Sequence, residues 1–168
     1  MSQVCYSSPF VSGGPPVTIL NQGFTDQDGT LDFTLWWQAI WDKNGQFLND
    51  DDYIKSDANF TTRILVTRLA ADNGTVAGRP LNPLTTSNCI LKVRTRRSIP
   101  TDPANYSWTR QLRQDYVDES NQGLLIATLD TGILTDVYTL YTYTLTTDEV
   151  NSITNWPNIY FRDIVTKS

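Results

Sequence analysis

Short runs of β-branched and aromatic residues, each ended by Gly, Pro, Asn or Asp, recur along most of this 168-residue chain. Such runs predict strands, because these side chains pack well on a pleated surface and the intervening residues favour turns. The clearest runs are Phe33–Trp41, Arg63–Leu69, Cys89–Arg97, Trp108–Gln114, Leu124–Leu129, Tyr138–Leu145 and Ile159–Val165. We therefore expect an all-β chain, an antiparallel β-sandwich of the jelly-roll kind.

One short helix is predicted near the carboxyl end of the chain. Thr146 precedes Glu149 by three residues, which is the spacing of a capping box, and acidic residues occupy the first turn. The helix is expected over Thr147–Ile153, and Pro157 marks its end.

The basic residues of the Cys89–Arg97 run alternate with apolar ones. Leu91 and Val93 share one face of the predicted strand, while Arg94 and Arg96 share the other. This pattern is typical of a half-buried antiparallel strand, so the basic residues are expected on its solvated side. The alternative is an anion-binding site.

The length of the chain suits one domain. Residues 1–22 are expected to form an extended N-terminal arm, because adjacent prolines favour an extended chain and the segment has little periodicity. Residues 23–168 are expected to form a single β-sandwich domain. Pro15, Pro16 and Val17 are candidate partner contacts within the arm.

The start of the sequence shows neither the charged region nor the apolar run of a secretory signal, so synthesis in the cytoplasm is expected. No apolar run approaches the length that a bilayer span requires, and we expect no membrane partner. In such a compartment Cys5 and Cys89 are expected to remain thiols rather than form a disulfide.

The composition restricts the chemistry. With no histidine, the chain cannot assemble a Ser-His-Asp or Cys-His site, and its net charge of −5 disfavours nucleic acid as a partner. A pair of carboxylates could still hydrolyse glycosides. The acids, however, fall in turn-like runs at Asp26–Gly29, Asn49–Asp52 and Asp115–Glu119, and none is expected to be buried. No catalytic residues and no enzymatic activity are predicted.

A calcium loop is the main alternative for two of the acidic stretches. Asp26–Gly29 and Asp42–Gly45 resemble the start of an oxygen-rich cation loop, but the glycine arrives too early to complete it. Hairpin turns explain both stretches better. We therefore predict no metal site and no other cofactor.

The tryptophans suggest a second kind of binding. Phe33–Trp41 places Trp37 on its more apolar face, which is expected to be core, and Trp36 on the opposite face. An exposed Trp36 could stack on a sugar ring, so a glycan is a candidate ligand at this residue.

Several short motifs follow one another along the chain: Asp50–Ser56 after a Trp-rich run, Leu91–Arg96, Tyr143–Thr146 and Ile153–Arg162. Their order resembles that in a group of jelly-roll proteins encoded among the structural genes of tailed bacteriophages. The resemblance implies that Asp50–Ser56 is an architectural segment, with Tyr53 and Ile54 anchored in the sandwich.

The resemblance also implies a function. The chain would be a non-enzymatic virion structural protein made in the host cytoplasm, most readily a capsid decoration or cement protein that binds the capsid shell or other virion proteins. A head fibre or tail accessory protein is the related option. Self-association is expected, with a trimer favoured by analogy with shell decoration proteins. The alternative function is a carbohydrate-binding β-sandwich module that recognises host glycans.

Overall fold

A computed structural model describes residues 2–5, 17–26, 54–56, 60–68, 89–97 and 103–168. These residues contain ten strands, one α-helix and one 3₁₀ turn. The strands are β1 (Ser2–Cys5), β2 (Val17–Asn21), β3 (Phe24–Asp26), β4 (Ile54–Ser56), β5 (Thr62–Arg68), β6 (Ile90–Arg97), β7 (Tyr106–Gln114), β8 (Leu124–Ile133), β9 (Thr139–Thr144) and β10 (Ile159–Lys167). The helix is α1 (Thr147–Asn151), and the 3₁₀ turn is Trp156–Asn158.

The described strands form two antiparallel sheets of five strands each. Sheet A has the order β3-β4-β1-β6-β9, and sheet B has the order β2-β5-β10-β7-β8. From β5 to β10 the chain changes sheet at every connection except the β7–β8 hairpin, a crossing pattern typical of jelly rolls. The predicted antiparallel β-sandwich with one short helix near the C-terminus is confirmed.

The predicted strand runs fall on β5 to β10 with small shifts at their ends, except Phe33–Trp41, which lies outside the described residues. The largest shift is in β8, which continues past the predicted end at Leu129 to Ile133. Gly132 has a φ of 63°, so the glycine bends the strand locally instead of ending it.

Two described segments of the predicted arm are strands of the sandwich. β1 lies between β4 and β6 in sheet A, and β2 pairs with β5 at the border of sheet B. Val17 is the first residue of β2 and lies opposite Arg68, while Pro15 and Pro16 lie outside the described residues. Both sheets therefore include residues that precede position 23.

The core lies between the two sheets. Leu65, Trp108 and Val165 of sheet B and Phe24 and Val93 of sheet A are almost completely buried there. The rings of Phe24 and Trp108 meet edge to face with centroids 6.0 Å apart, which adds a directional aromatic contact to the apolar packing.

A charged pair is buried within this core. Asp163 of β10 lies directly opposite Arg110 of β7, and both side chains are nearly inaccessible to solvent. Arg110 donates from Nε to Asp163 Oδ1 at 2.8 Å and from Nη2 to Oδ2 at 3.0 Å. Trp108 Nε1 also donates to Asp163 Oδ1, at 2.9 Å. The expectation that no acid is buried is therefore wrong for Asp163.

The predicted capping box begins α1. Thr146 Oγ1 accepts from the Glu149 backbone N–H at 3.2 Å, and Glu149 Oε2 accepts from the Thr146 backbone N–H at 2.7 Å. The helix ends at Asn151, two residues before the predicted end, with Ser152 as its C-cap. Val150 and Ile153 are buried against the core, so this short unit closes one end of the sandwich.

The alternation predicted in β6 is also present. Leu91 and Val93 are buried, and Arg94 and Arg96 lie on the opposite face. These arginines are half-buried rather than fully solvated, because both guanidinium groups stack on Tyr138, at 4.7 and 4.6 Å from its ring centroid.

Candidate assembly edge

β8 is the last strand of sheet B, and β7 is its only partner among the described strands. Its sequence, LLIATLDTGI, buries Ile126, Ala127 and Leu129 between the sheets. Leu125 and Ile133 remain 45% and 65% exposed. The strand therefore has an apolar side toward the core and further apolar side chains toward solvent.

The length and composition of β8 are unusual for a border strand. Such strands usually are short, or carry lysine, proline or several charges, since these features prevent pairing with another chain. β8 is ten residues long, contains no lysine or proline, and has Asp130 as its one charged residue. A long strand of this kind exposes a row of backbone groups that another strand can pair with.

The connection from β8 to β9 extends the apolar surface. Arg97 fixes this connection: its backbone N–H donates to Thr135 O at 2.7 Å, and its Nε donates to Asp136 Oδ1 at 2.7 Å. Leu134 is buried beneath it, while Val137 is 71% exposed.

β9 is the last of the described strands in sheet A and contacts β8, so the two strands border the same side of the sandwich. Leu140 of β9 is also exposed. We call this border the apolar edge; its members are Leu124, Leu125, Ile133, Val137 and Leu140.

The pairing of β8 with β7 is interrupted twice. The register shifts between Ser107 and Thr109 and again between Leu112 and Arg113, and each time β8 contains one residue more than β7. Side chains of β8 support the first of these bulges. Asp130 Oδ1 accepts from the Gly132 backbone N–H at 2.9 Å, and Thr131 Oγ1 accepts from the Trp108 backbone N–H at 3.0 Å.

The loop from Asp115 to Gly123, between β7 and β8, folds over the outer face of sheet B. Tyr116 is buried there against Tyr160, with ring centroids 5.8 Å apart. Gly123 has a φ of 65°, and a Cβ atom at this position would lie 2.1 Å from Gln114 O. Only glycine fits here without displacing the backbone, so Gly123 fixes where β8 begins.

An ion pair ties the same loop to β10. Arg162 donates from Nε to Glu119 Oε1 at 2.9 Å and from Nη2 to Oε2, and Tyr116 Oη donates to Glu119 Oε1 at 2.9 Å. The hydrogen bond from Arg162 lowers the pKa of Glu119, while burial raises the pKa of Tyr116. At neutral pH a carboxylate and a neutral phenol therefore hold the loop closed.

The acidic run Asp115–Glu119 is a turn, as predicted, with Asp115 and Asp118 exposed. Asp118 Oδ1 accepts from the backbone N–H groups of Ser120 and Asn121, both at 2.8 Å, which is the behaviour expected of aspartate in a turn. Glu119 is the exception, because it pairs with the buried Arg162 instead of facing water alone.

The structure does not bring the sequence-predicted site residues to the apolar edge. Pro15, Pro16 and Trp36 lie outside the described residues, as do Asp50, Asp51, Asp52 and Tyr53. Val17 lies in β2, at the opposite side of sheet B from β8. Ile54 is the first residue of β4, so the Asp50–Ser56 motif does lead into a strand of sheet A.

Sequence reasoning missed the apolar edge. Leu124 and Leu125 are adjacent, which breaks the alternation of a half-buried strand, and Ile133 lies beyond the predicted end of the run. A consecutive apolar pair at the start of a strand with no flanking lysine is the signal that could have identified it.

The aromatic side chains that the structure describes are all buried or half-buried, including Trp108 and Trp156. They pack against neighbouring side chains, in the core or on the outer faces of the sheets, rather than forming an exposed stacking platform. The glycan hypothesis therefore depends on Trp36, for which the described residues give no geometry.

The described residues contain no group of three or more His, Cys, Asp or Glu side chains close enough to hold a metal ion. No helix among them is long and apolar enough to cross a membrane. Cys89 is a half-buried free thiol.

No protein-family profile matches the chain, and no curated protein or solved structure is significantly similar to it.

Proposed function

We propose that this protein is a non-enzymatic structural component of a bacteriophage virion, of the capsid decoration or cement type. It acts by binding other virion proteins, and it is made in the host cytoplasm before assembly. The observation that carries this proposal is the apolar edge of the sandwich. The order of the motifs that resemble phage jelly-roll proteins supplies the biological setting.

The apolar edge has the chemistry of a protein contact surface. Complete burial of a fully exposed Leu or Ile side chain is worth about 1.5–3 kcal/mol, and a partly exposed side chain offers a part of this. Leu125, Ile133 and Val137 together thus offer several kilocalories per mole to a partner that covers them. The backbone border of β8 adds hydrogen-bonding groups that fix the orientation of the partner.

The edge is also held rigidly, which favours tight binding. Gly123 and the Glu119–Arg162 pair fix the beginning of β8, and Arg97 fixes the connection after its end. A surface that is ordered before binding loses little conformational entropy when the partner docks. This suits a protein that must occupy many equivalent positions on a shell.

Reconstitution on particles tests the proposal. Purified protein is added to particles that lack it, and the retained amount is measured after sedimentation. We expect retention of the wild-type protein and at least a tenfold loss for Leu125→Lys/Ile133→Lys, because two charges would be buried in an apolar contact. Gln22→Lys/Thr62→Lys adds the same charge at exposed positions at the other side of sheet B and should behave as wild type.

Failure of the wild-type protein to remain on particles would contradict the proposal. Binding to host glycans that Trp36→Ala abolishes, without binding to particles, would favour the carbohydrate-binding module of a tail or fibre instead. Deletion of residues 2–22 is not a suitable test, because it removes β1 and β2 from the two sheets.

A further inference from the structure

The outward-facing residues of β8 are spaced symmetrically about the middle of the strand. The residues that lie opposite outer-face positions of β7 are Leu125, Thr128, Asp130 and Ile133, which pair with Arg113, Gln111, Thr109 and Ser107, respectively. All four β8 residues are exposed. Successive positions differ by three, two and three in residue number, since each bulge adds one residue. Leu129 lies at the centre of this pattern.

This symmetry determines which strand can pair with the side of β8 that has no partner among the described strands. A regular strand would face two extra residues of β8 that it cannot match. A second β8, running antiparallel about a two-fold axis through Leu129, has its own extra residues at the matching places. Register with a second copy is therefore kept along the whole strand.

The side chains that such pairing would bring together are complementary. Leu125 lies opposite Ile133 of the second copy, and Thr128 lies opposite Asp130 of the second copy; the two-fold axis repeats both contacts. The first is an apolar cross-strand pair, and the second joins a hydroxyl donor to a carboxylate. No two like charges lie directly opposite, because Asp130 is the one charged residue of β8.

The contact is also large enough to be stable. Ten residues of strand extend about 33 Å, and two sheets about 10 Å apart give the border a width of roughly 20 Å. The resulting footprint of about 660 Å² per copy approaches the roughly 800 Å² per partner of a standard interface. Val137 and Leu140 lie within the same border and contribute apolar area.

We propose that the occupant of the apolar edge is a second copy of this chain, paired β8 to β8 so that two copies of sheet B form one continuous ten-stranded sheet. This inference rests on the proposed function in treating the edge as an assembly surface, and it makes the contact at this edge one between copies of the chain, so that the edge substitutions reduce retention on particles by separating the copies. It replaces the trimer expected by analogy with a two-fold dimer as the unit of assembly. Its test uses the purified full-length protein and needs no particle, so the two proposals can fail independently.

Sedimentation equilibrium measures the association directly. We expect a reversible monomer–dimer equilibrium for the wild-type protein. Leu125→Lys/Ile133→Lys should raise the dissociation constant at least about 100-fold, because the two-fold axis places each substitution in the contact twice. Gln22→Lys/Thr62→Lys should leave the dissociation constant within about twofold of wild type.

Cross-linking tests the register. In a background with Cys5 and Cys89 replaced by serine, one preparation carries Leu125→Cys and another carries Ile133→Cys. Cross-strand neighbours lie within disulfide range, whereas the two copies of either residue alone would be about 26 Å apart in this register. We expect disulfide-linked dimers in the mixture and none in either preparation alone.

Three outcomes would overturn the inference. The first is a wild-type protein that remains monomeric at every concentration tested. The second is an oligomer that the edge substitutions do not weaken. The third is equal cross-linking in each separate preparation and in the mixture, which would show that copies meet in another register.

Discussion

Two sets of side chains depart from the usual placement of charged residues outside and apolar residues inside. The charged residues Arg110 and Asp163 are buried, whereas the apolar residues Leu125 and Ile133 are exposed. Both sets lie in sheet B, on neighbouring strands. The buried carboxylate of Asp163 accepts hydrogen bonds from Arg110 and from Trp108, both within the described part of the chain. The leucine and isoleucine remain 45% and 65% exposed, and no described residue covers them fully. A buried charge that has its partners within the fold affects the stability of the chain, whereas apolar side chains that stay exposed to solvent indicate a surface for another molecule.

The largest expected effect is the loss of stability when the buried ion pair is broken. Asp163→Ala leaves the Arg110 guanidinium in the core without the carboxylate that neutralises it, and we expect a loss of about 3–5 kcal/mol in the free energy of unfolding. Urea denaturation measures this loss. Asp148→Ala, at an exposed aspartate in the first turn of α1, is the control and should cost no more than about 1 kcal/mol.

Replacement of both charges sharpens the same point. Arg110→Met/Asp163→Leu removes the unpaired charge as well as the ion pair, so most of the stability lost in Asp163→Ala should return. If the double variant is as unstable as the single one, the pair contributes more than mutual neutralisation, and the comparison with the edge weakens.

The next effect concerns the loop that positions β8. Gly123→Ala places a Cβ atom against Gln114 O in a left-handed backbone conformation, and we expect a loss of about 2–4 kcal/mol. Gly132→Ala is a matched control, because its φ is similarly positive but no atom lies within 4 Å of the added Cβ. It should cost about 1 kcal/mol. Equal losses in the two variants would show that the close approach at Gly123 is unimportant.

A smaller effect is expected at the ion pair that closes the same loop. Glu119→Gln keeps the shape of the side chain but removes the charge facing Arg162, and should cost about 1–2 kcal/mol at neutral pH. Because the pKa of Glu119 is lowered in the folded state, its contribution is present above its ordinary pKa of 4.5 and is lost as the pH falls through the folded value. The difference between wild type and Glu119→Gln in pH-dependent denaturation should therefore shrink below that pH.

The smallest effect on stability is expected from substitution of the exposed residues Leu125 and Ile133. At concentrations below the dissociation constant of the proposed dimer, Leu125→Lys/Ile133→Lys should change the free energy of unfolding by no more than about 0.5 kcal/mol, since both side chains are already exposed. Chemical denaturation at several protein concentrations checks this. A loss of several kilocalories per mole in the monomer would mean that these residues support the fold and are not reserved for a partner.

The sequence predicts the strands well where apolar and polar residues alternate, as in β6. It does not predict how the strands are paired. Asp163 and Arg110 each interrupt the apolar face of their strand, with Phe161 and Val165 on one side and Trp108 and Leu112 on the other. That pattern suggests an inward charge on both strands, but only the register of β7 with β10 shows that the two charges meet.

The positions of β1 and β8 show the same limit. Periodicity within four residues cannot reveal that β1 lies between β4 and β6, because these partners are far away in the chain. Likewise, the spacing of exposed residues in β8 depends on two bulges that exist only relative to β7. The helix α1 is the opposite case, since its capping box consists of residues close in sequence.

Amide hydrogen exchange in β8 tests most directly whether the apolar edge is the assembly surface. The measurement compares peptides from Leu124–Ile133 with peptides from Thr62–Arg68, an interior strand of the same sheet, at low and high protein concentration. We expect β8 to become more protected as the concentration rises, because its outward backbone groups become paired, while β5 stays unchanged. Unchanged exchange in β8 under conditions where the protein is shown to self-associate would show that the apolar edge is not the assembly surface.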